Sequence, residues 1–395
     1  MMNKNEPGIY IHIPFCMQKC LYCDFLSGPA DDDIKSQYFK ALEKEINMRA
    51  EKLNLTPDNT LVKTVFFGGG TPTAVNESFI VRIMEILRNN FHIAAEAEIS
   101  IECNPGTLTQ DKALAYRNCG INRISFGLQT TDDELLKIIG RIHNFRQFEE
   151  SFETAKKAGF NNINVDIMQA LPGQTLSGYI DGLKRVVSFN PSHISAYSLI
   201  VEEGTYLCDN LSQFPKLPDE DTERRMYHET CRILRKAGYE QYEISNFSHP
   251  QMECRHNLSY WERKDYLGFG IGAASLYKDT RTTNTGDLKK YIEILNMQGN
   301  IFESVTELSK QDMMEEFMYL GLRKTNGISF ADFKENFGVD IKTVYGDVID
   351  KYVKLGLLEL CGLDSCNESC GYAAGCRLTE RGIDVSNIVL AEFLL

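Results

Sequence analysis

Short runs of β-branched and aromatic residues alternate with longer amphipathic stretches through the first two hundred residues. The pattern predicts strands at 8–13, 62–67, 98–102, 123–127, 162–168 and 193–199, and helices at 34–50, 77–90, 109–119, 132–139, 145–158 and 176–188. Strands that alternate with helices form βαβ units and a parallel sheet. Six such units are two short of a closed eight-unit barrel. The sequence therefore predicts an α/β fold, an open partial (β/α)6 parallel barrel, with a seventh strand at 242–244.

The alternation ends near residue 200. A loop-like segment with Pro215 and Pro218 comes first, and a helix is expected at about 221–236. Helical patterns then cover 310–322, 329–336 and 341–355, and a hairpin is expected from strands at 356–360 and 377–379. We therefore predict a partial barrel over 1–205, an α+β extension over 206–303 and a helical, winged-helix-like module over 304–395. That module has no basic recognition helix, so we expect no nucleic-acid binding.

Charge and hydropathy narrow the class of protein. The chain has 42 basic and 55 acidic residues among 395, a net charge of −13. This balance argues against coating nucleic acid or an anionic membrane by bulk charge. No apolar run approaches 18 residues, the length expected of a membrane-spanning helix, and the first residues lack the apolar segment of a secretory signal. We therefore expect a cytoplasmic protein.

Three of the twelve cysteines follow the first predicted strand closely. Cys16, Cys20 and Cys23 have the spacing C-x3-C-x2-C. Three thiolates can hold three irons of a cubane cluster and leave the fourth iron open to a ligand, whereas electron-transfer clusters usually have four cysteine ligands. A structural zinc site would want a fourth Cys or His nearby, and the only local candidate, His12, lies inside the strand. The spacing favours a [4Fe–4S] cluster over zinc.

Polar and glycine residues stand at the ends of the following strands. A Gly-Gly-Gly-Thr-Pro run over 68–72 follows the second strand, where glycines let a backbone approach a ligand closely. Glu102, Gln129 and Asp166 follow at or near the ends of the next three strands, and Arg141 is suited to pair with a carboxylate. Because the carboxyl ends of barrel strands meet at one face, these residues predict one ligand-lined mouth.

The cysteine spacing, the aromatic Tyr22 before the third cysteine and the position after the first strand resemble the radical S-adenosylmethionine (SAM) family. The resemblance implies that SAM chelates the open iron and is cleaved reductively to a 5′-deoxyadenosyl radical. It also implies that the cofactors are contacted by a set of strand-end residues, namely Tyr10, Tyr22, Gly69, Gly70, Thr71, Glu102, Gln129, Arg141 and Asp166.

Longer segments are most similar to the coproporphyrinogen oxidase-like branch of that family. Among them are Glu102-Cys103-Asn104-Pro105-Gly106 and Tyr242-Glu243-Ile244-Ser245-Asn246. That branch contains an oxygen-independent oxidase and haem chaperones. Phe25, where the oxidase has a further cysteine, the few residues before the first strand, and a segment at 253–261 that resembles H-N-x-x-Y-W all favour the chaperones.

The resemblance implies a function in haem delivery. His256 would ligate haem iron, Tyr260 and Trp261 would pack on the porphyrin, and Cys254 is an alternative ligand. The expected partners are haem and an apo-haemoprotein acceptor of respiratory type; peripheral membrane association is compatible with this role, and the oligomeric state is left open. The alternatives are oxidative decarboxylation of porphyrinogen propionates, another radical SAM reaction, or a zinc-stabilised regulator that binds DNA.

A second group of cysteines, Cys361, Cys366, Cys370 and Cys376, falls in the predicted wing. Four thiols within sixteen residues can hold zinc or an auxiliary iron–sulfur cluster. Their spacing matches no standard zinc ribbon, and a glycine-rich loop with reduced thiols remains the alternative. The sequence does not decide between a zinc site, an auxiliary iron–sulfur cluster and a loop of reduced thiols.

Overall fold

Six parallel strands form the centre of the molecule. The computed structural model describes residues 5–362 and 374–395. The six strands pair in sequence order and all run in the same direction. They are β1 (Gly8–Ile13), β2 (Leu61–Gly69), β3 (His92–Cys103), β4 (Arg123–Gln129), β5 (Asn162–Gln169) and β6 (His193–Ser198). The predicted open, partial parallel barrel is confirmed.

Helices connect these strands, and each one begins beside a short polar side chain. An Asp, Asn or Thr at the cap accepts a hydrogen bond from an amide of the first turn, which satisfies a donor that the helix leaves unpaired. The helices are α1 (Asp32–Lys52), α2 (Glu77–Asn90), α3 (Gln110–Asn118), α4 (Asp133–Ile138), α5 (Phe145–Lys157) and α6 (Leu176–Ser188). Their apolar faces cover the sheet and build one large core.

Residues after 200 extend the sheet at both edges. At the β6 edge they add β7 (Glu240–Gln241) and β8 (Asn246–Ser248); at the β1 edge they add β9 (Tyr266–Phe269), β10 (Ala274–Tyr277), β11 (Thr280–Asn284) and β12 (Phe302–Glu307). The helices among them are α7 (Tyr206–Asp209), α8 (Glu220–Lys236), α9 (Arg255–Trp261) and α10 (Leu288–Asn296). The last strand crosses residue 303, the predicted end of the extension.

The prediction of a seventh strand at 242–244 is wrong. Those residues form the turn between β7 and β8, which pair antiparallel. The Glu243 carboxylate accepts hydrogen bonds from the Ser245 amide, at 2.9 Å, and from the Asn246 side chain. A side chain folded back onto its own backbone in this way stabilises a turn rather than an extended strand.

The C-terminal module has its own hydrophobic core. Its helices and strands are α11 (Lys310–Gly321), β13 (Ile328–Ser329), α12 (Phe330–Phe337), α13 (Ile341–Lys354), β14 (Leu358–Cys361), β15 (Gly375–Leu378), α14 (Glu380–Asp384) and α15 (Ser386–Ala391). The three helices and the hairpin follow the predicted order, and the small sheet has the order β13-β15-β14.

Two of the four C-terminal cysteines lie on the paired strands of this module. Cys376 is buried opposite Leu360, and Cys361 is the next residue along β14. Burial raises the pKa of the Cys376 thiol to about 12. Cys366 and Cys370 lie outside the described residues, so a second metal site at these four cysteines stays a prediction.

No helix within residues 5–362 and 374–395 combines the length and the apolar character needed to cross a membrane.

Candidate functional site

A cavity of about 540 Å³ opens at the carboxyl ends of the central strands. Its wall contains all three clustered cysteines and nearly all of the predicted cofactor residues. Of the latter it includes Tyr22, Gly69, Gly70, Thr71, Glu102, Gln129, Arg141 and Asp166. The predicted ligand-lined mouth is therefore present in the fold.

The thiols of Cys16, Cys20 and Cys23 are half-buried around this cavity. In the described part of the chain, no group of three or more His, Cys, Asp or Glu side chains is placed to hold a metal ion. Three cysteine thiols on the wall of one cavity are the donor set that holds three irons of a cubane cluster and leaves the fourth iron open. The donor set and its placement thus fit a [4Fe–4S] cluster.

Backbone hydrogen bonds pin the cysteine loop against the barrel. The Cys16 amide donates to the Gly28 carbonyl at 3.0 Å, and the Gly28 amide donates to the Pro14 carbonyl at 3.0 Å. Farther along, the Leu21 amide donates to Ile139 at 3.1 Å, and the Leu21 carbonyl accepts from Leu207 at 2.8 Å. Backbone hydrogen bonds within the protein therefore hold the loop on both sides.

The glycine run after β2 lies directly against the cysteine loop. A Cβ atom on Gly70 would lie 2.9 Å from the Cys16 sulfur and 2.9 Å from the Phe15 carbonyl oxygen. Gly69 has a φ of +118°, which L side chains rarely adopt. Glycine is needed here both for the backbone conformation and for space beside a cluster ligand.

Two carboxyl groups face the cavity from β3 and β5. Burial, reinforced by the negative charge of Asp166, raises the pKa of Glu102 to about 8, and the Gly69 amide partly opposes this by donating to Glu102 at 3.0 Å. Burial also raises the pKa of Asp166. An acid that retains its proton near neutral pH can donate as well as accept hydrogen bonds, which suits recognition of a hydroxyl-bearing ligand.

Gln129 is held by a residue that the sequence reasoning missed. The Tyr197 hydroxyl, at the end of β6, donates to the Gln129 Oε1 at 3.0 Å, and Tyr197 also lines the cavity. Gln129 has a φ of +71°, and the register of β4 against β5 shifts between Gly127 and Gln129. Tyr197 could have been found by the same strand-end argument, because it falls near the end of the sixth predicted strand.

Tyr10 does not line the cavity. Its hydroxyl bonds to the His12 Nδ1 at 3.0 Å, and its ring packs beside Phe66. The side chain instead borders a second, aromatic cleft of about 350 Å³ between the sheet and α11. Tyr10 is therefore the one residue of the predicted cofactor-contacting set that the structure does not bring to the mouth of the cavity.

His256 lies on α9, behind the aromatic cleft. The ring is buried, with Nδ1 2.9 Å from the Thr64 hydroxyl and Nε2 2.9 Å from the Tyr260 hydroxyl, and it stacks on Phe66. Burial, with the nearby Arg123 charge, lowers its pKa to about 3, so the ring is neutral at physiological pH. In this conformation neither nitrogen is free for iron.

The alternative haem ligand, Cys254, is also enclosed. Its thiol donates to the Glu98 carboxylate at 3.5 Å, and burial raises its pKa to about 12. A neutral thiol paired in this way is a poor ligand, because metals bind the thiolate. The structure argues against Cys254 as a haem ligand.

The aromatic cleft next to α9 has a mixed lining. Aromatic side chains form much of its wall, with basic groups beside them. Among its residues are Tyr10, Tyr260, Trp261, Tyr266, Tyr319, Arg263, Lys264 and Arg281. Arg263 and Arg281 are both engaged by Glu316, at 2.8 and 2.6 Å, whereas the Lys264 side chain is largely exposed and pairs with Glu262. A ligand with a flat apolar ring system can pack against these aromatic side chains and direct an anionic edge toward solvent.

Comparisons with known proteins cover almost the whole chain. The Radical SAM superfamily profile matches residues 10–184, and the HemN C-terminal domain profile matches 308–362. The chain is 37% identical over 388 residues to the heme chaperone HemW of Bacillus subtilis (98% of both chains), and 33% identical over 364 residues to that of Escherichia coli (90% of this chain, 92% of the relative). The structure of coproporphyrinogen III oxidase (HemN) from Escherichia coli, described as a radical SAM enzyme, superposes with a TM-score of 0.84 at 25% identity, over 99% of this chain and 91% of that one. The chain belongs to the HemW family, in the HemN-like branch of the radical SAM superfamily.

Proposed function

We propose that this protein is a haem chaperone that binds haem in the aromatic cleft beside α9 and passes it to an apo-haemoprotein. The observation that carries the proposal is the cleft itself, which lies beside the H-N-x-x-Y-W segment on α9. Aromatic walls suit a porphyrin face, and the exposed Lys264 at the edge suits a propionate. The family relatives at 37% and 33% identity are named heme chaperones.

His256 is the proposed iron ligand, and its two hydrogen bonds set a condition on that role. Nε2 lies 2.9 Å from the Tyr260 hydroxyl, so iron has to compete with that hydroxyl for the nitrogen. The low pKa of His256 favours the neutral ring, which is the form that ligates metals. We therefore expect haem binding to be coupled to movement of Tyr260 away from His256.

The cavity at the strand ends is the proposed site of the cluster and of SAM. Cys16, Cys20 and Cys23 would hold the cluster, while Gly69, Gly70, Thr71, Glu102, Gln129, Arg141 and Asp166 would contact SAM, with Tyr22 beside the cluster. Arg141 Nε has no hydrogen-bond partner among the described residues, which leaves a buried donor for a ligand carboxylate. When bound, SAM at an open iron supplies radical chemistry.

The test is anaerobic reconstitution with iron and sulfide, followed by titration with haem. We expect about four irons per chain, a stoichiometric Soret shift and quenching of Trp261, the only tryptophan. His256→Ala should weaken haem binding at least tenfold, whereas Tyr260→Phe should strengthen it by removing the competing hydroxyl. His92→Ala, which removes an exposed histidine of β3, is the matched control. Equal haem affinity in all four proteins would exclude His256 as the ligand.

Delivery is tested separately from binding. The haem-loaded chain is mixed with an apo-haemoprotein of respiratory type, with and without vesicles, and the Soret band of the acceptor is followed. Transfer that is faster than release of haem to an unrelated apo-protein is the expected result, and acceleration by vesicles would place delivery at a membrane surface.

A decarboxylating porphyrinogen oxidase is the second candidate, favoured by the structural match to coproporphyrinogen III oxidase over 99% of this chain. Incubation of the reconstituted protein with coproporphyrinogen III, SAM and a reductant distinguishes the two. Formation of protoporphyrinogen would establish the oxidase, and its absence together with haem binding would support the chaperone.

A further inference from the structure

Asn104 stands in the cavity wall just after β3, and its side chain joins two residues that contact cluster cysteines. The Asn104 Nδ2 donates to the Thr71 hydroxyl at 2.9 Å. Its Oδ1 accepts from the Arg141 Nη2 at 2.8 Å. Asn104 is therefore the centre of a bridge between the glycine loop after β2 and the segment that carries Arg141.

The chemistry of the partners fixes the orientation of this amide. A guanidinium can only donate hydrogen bonds, so the Asn104 oxygen must face Arg141 and the nitrogen must face Thr71. The Thr71 hydroxyl then accepts from Asn104, which leaves its own hydrogen for another acceptor. That acceptor is the Cys16 sulfur, 3.5 Å away.

The other arm of the bridge reaches a second cluster cysteine. Arg141 Nη1 donates to the Cys20 sulfur at 3.5 Å, while Nη2 is held by Asn104 and by the Gly127 carbonyl. A Cβ atom on Gly127 would lie 3.1 Å from the Arg141 Nη2 and 3.3 Å from the Asn104 oxygen, so glycine leaves the room that this contact needs.

We propose that Asn104 is a positioning residue for the iron–sulfur cluster: it directs the Thr71 hydroxyl to the sulfur of Cys16 and the Arg141 guanidinium to the sulfur of Cys20. Asn104 acts through these two residues and touches neither thiol itself. The inference rests on the proposed cluster at these cysteines, but it does not depend on haem delivery.

Hydrogen bonds to the ligand sulfurs are one of the ways in which a protein sets the reduction potential of an iron–sulfur cluster. Reduction adds negative charge to the cluster, and donors aimed at the thiolates stabilise that charge. Loss of the two donors should therefore make the cluster harder to reduce. The bridge thus couples the wall of the SAM cavity to the potential at which the cluster accepts an electron.

Two substitutions distinguish the hydrogen bond between Asn104 and Thr71 from the hydrogen bond between Asn104 and Arg141. Asn104→Leu has a similar shape and removes both hydrogen bonds. Asn104→Asp keeps the pairing with Arg141 but cannot donate to Thr71, whose hydroxyl then turns toward the new carboxylate and away from Cys16. Thr73→Val is the matched control: the Thr73 hydroxyl bonds to the Thr107 hydroxyl in the neighbouring turn at 2.6 Å, and it makes neither of the two side-chain hydrogen bonds of Asn104.

The measurement is an anaerobic redox titration of the reconstituted full chain without SAM, followed by the electron paramagnetic resonance signal of the reduced cluster. We expect Asn104→Leu and Asn104→Asp to lower the ratio of reduced to oxidised cluster about tenfold at a fixed ambient potential, a shift of about 59 mV for one electron. In a Thr71→Val background, Asn104→Leu should lower the ratio less than it does alone, because one arm is already lost.

Every outcome bears on the inference. Midpoints of Asn104→Leu and Asn104→Asp equal to those of Thr73→Val and of the unchanged chain would overturn it, as would full additivity with Thr71→Val. If Asn104→Leu retains its melting temperature but loads less iron than Thr73→Val, the positioning role is supported. If Thr73→Val loses iron equally, the turn is only structural and the inference fails. Haem titration of the unchanged chain is a separate readout, and its failure would defeat only the chaperone proposal.

Discussion

At the scale of single residues, burial controls the ionisation of the cavity wall. Glu102 and Asp166 both line the cavity, and burial raises the pKa of both. The shift matters most for Glu102, because its pKa of about 8 lies near physiological pH. The protonation of this wall therefore changes near neutral pH.

We predict that Glu102 makes the stability of the cluster-free chain fall as pH rises. An unfolded glutamate has a pKa of about 4.3, so between that value and about 8 the folded chain holds a proton that the unfolded chain has released. The free energy of unfolding should fall across this window, with a slope of at most about 1.4 kcal/mol per pH unit from this group, and level off above it.

The measurement is urea unfolding from pH 5 to 9 at constant ionic strength. Glu102→Gln should lose this part of the pH dependence, whereas Glu96→Gln, on the exposed side of the same strand, should keep it. Parallel pH profiles for the unchanged chain and Glu102→Gln would contradict the prediction.

At the scale of elements, α9 depends on a neighbouring strand for its N-terminal cap. Cys254 precedes the helix and provides no side-chain cap. The Glu98 carboxylate of β3 replaces it, accepting from the amides of Arg255 and His256 at 3.0 Å each. A carboxylate at a helix N-terminus also interacts favourably with the helix dipole. One side chain of the barrel therefore caps the helix that carries His256.

We predict that Glu98→Ala destabilises the chain by about 3 kcal/mol, because the buried amide of His256 and the partly buried amide of Arg255 lose their acceptor. Haem binding should weaken with it, since His256 and Tyr260 both lie on this helix. Urea unfolding and haem titration measure the two effects, and Glu96→Ala on the same strand is the control. A loss below about 1 kcal/mol would mean that water or another group caps α9.

At the scale of the whole molecule, an ion-pair network joins the C-terminal module to the sheet extension. Glu316 of α11 accepts from Arg263 at 2.8 Å and from Arg281 at 2.6 Å, and its side chain is only 8% exposed. Arg263 also pairs with Asp279 at 3.0 Å. Since the module has its own core, these contacts help to couple two units that each bury apolar surface.

We predict that Glu316→Ala loosens this coupling and costs at least about 2 kcal/mol, because it leaves two guanidinium groups without their shared partner. Calorimetry should then resolve the melting of the module from that of the barrel. Glu307→Ala, an exposed glutamate of β12, should leave a single transition at nearly the original temperature. A single unshifted transition for Glu316→Ala would show that apolar packing alone couples the units.

The sequence by itself determined the order of the central strands and helices and the cysteine cluster. Those features are local: the helix over Glu77–Asn90 begins at its own Asn76 cap, and the first strand, Gly8–Ile13, is a short apolar run with β-branched residues. The cluster spacing lies within eight residues. Because neighbouring residues decide these elements, the pattern along the chain was enough to place both the barrel and the mouth of the cavity.

Only the tertiary structure decided how distant residues meet. The strand β9 pairs with β1, more than two hundred residues earlier, and β10, β11 and β12 are added outward from β9, so the place of these strands in the sheet was not visible in their own short sequences. Asn104 meets Thr71 and Arg141, and His256 meets Thr64, through contacts between separate strands and loops. Hydrogen bonds of this kind depend on where the folded backbone places each group, and no periodicity along the chain records that placement.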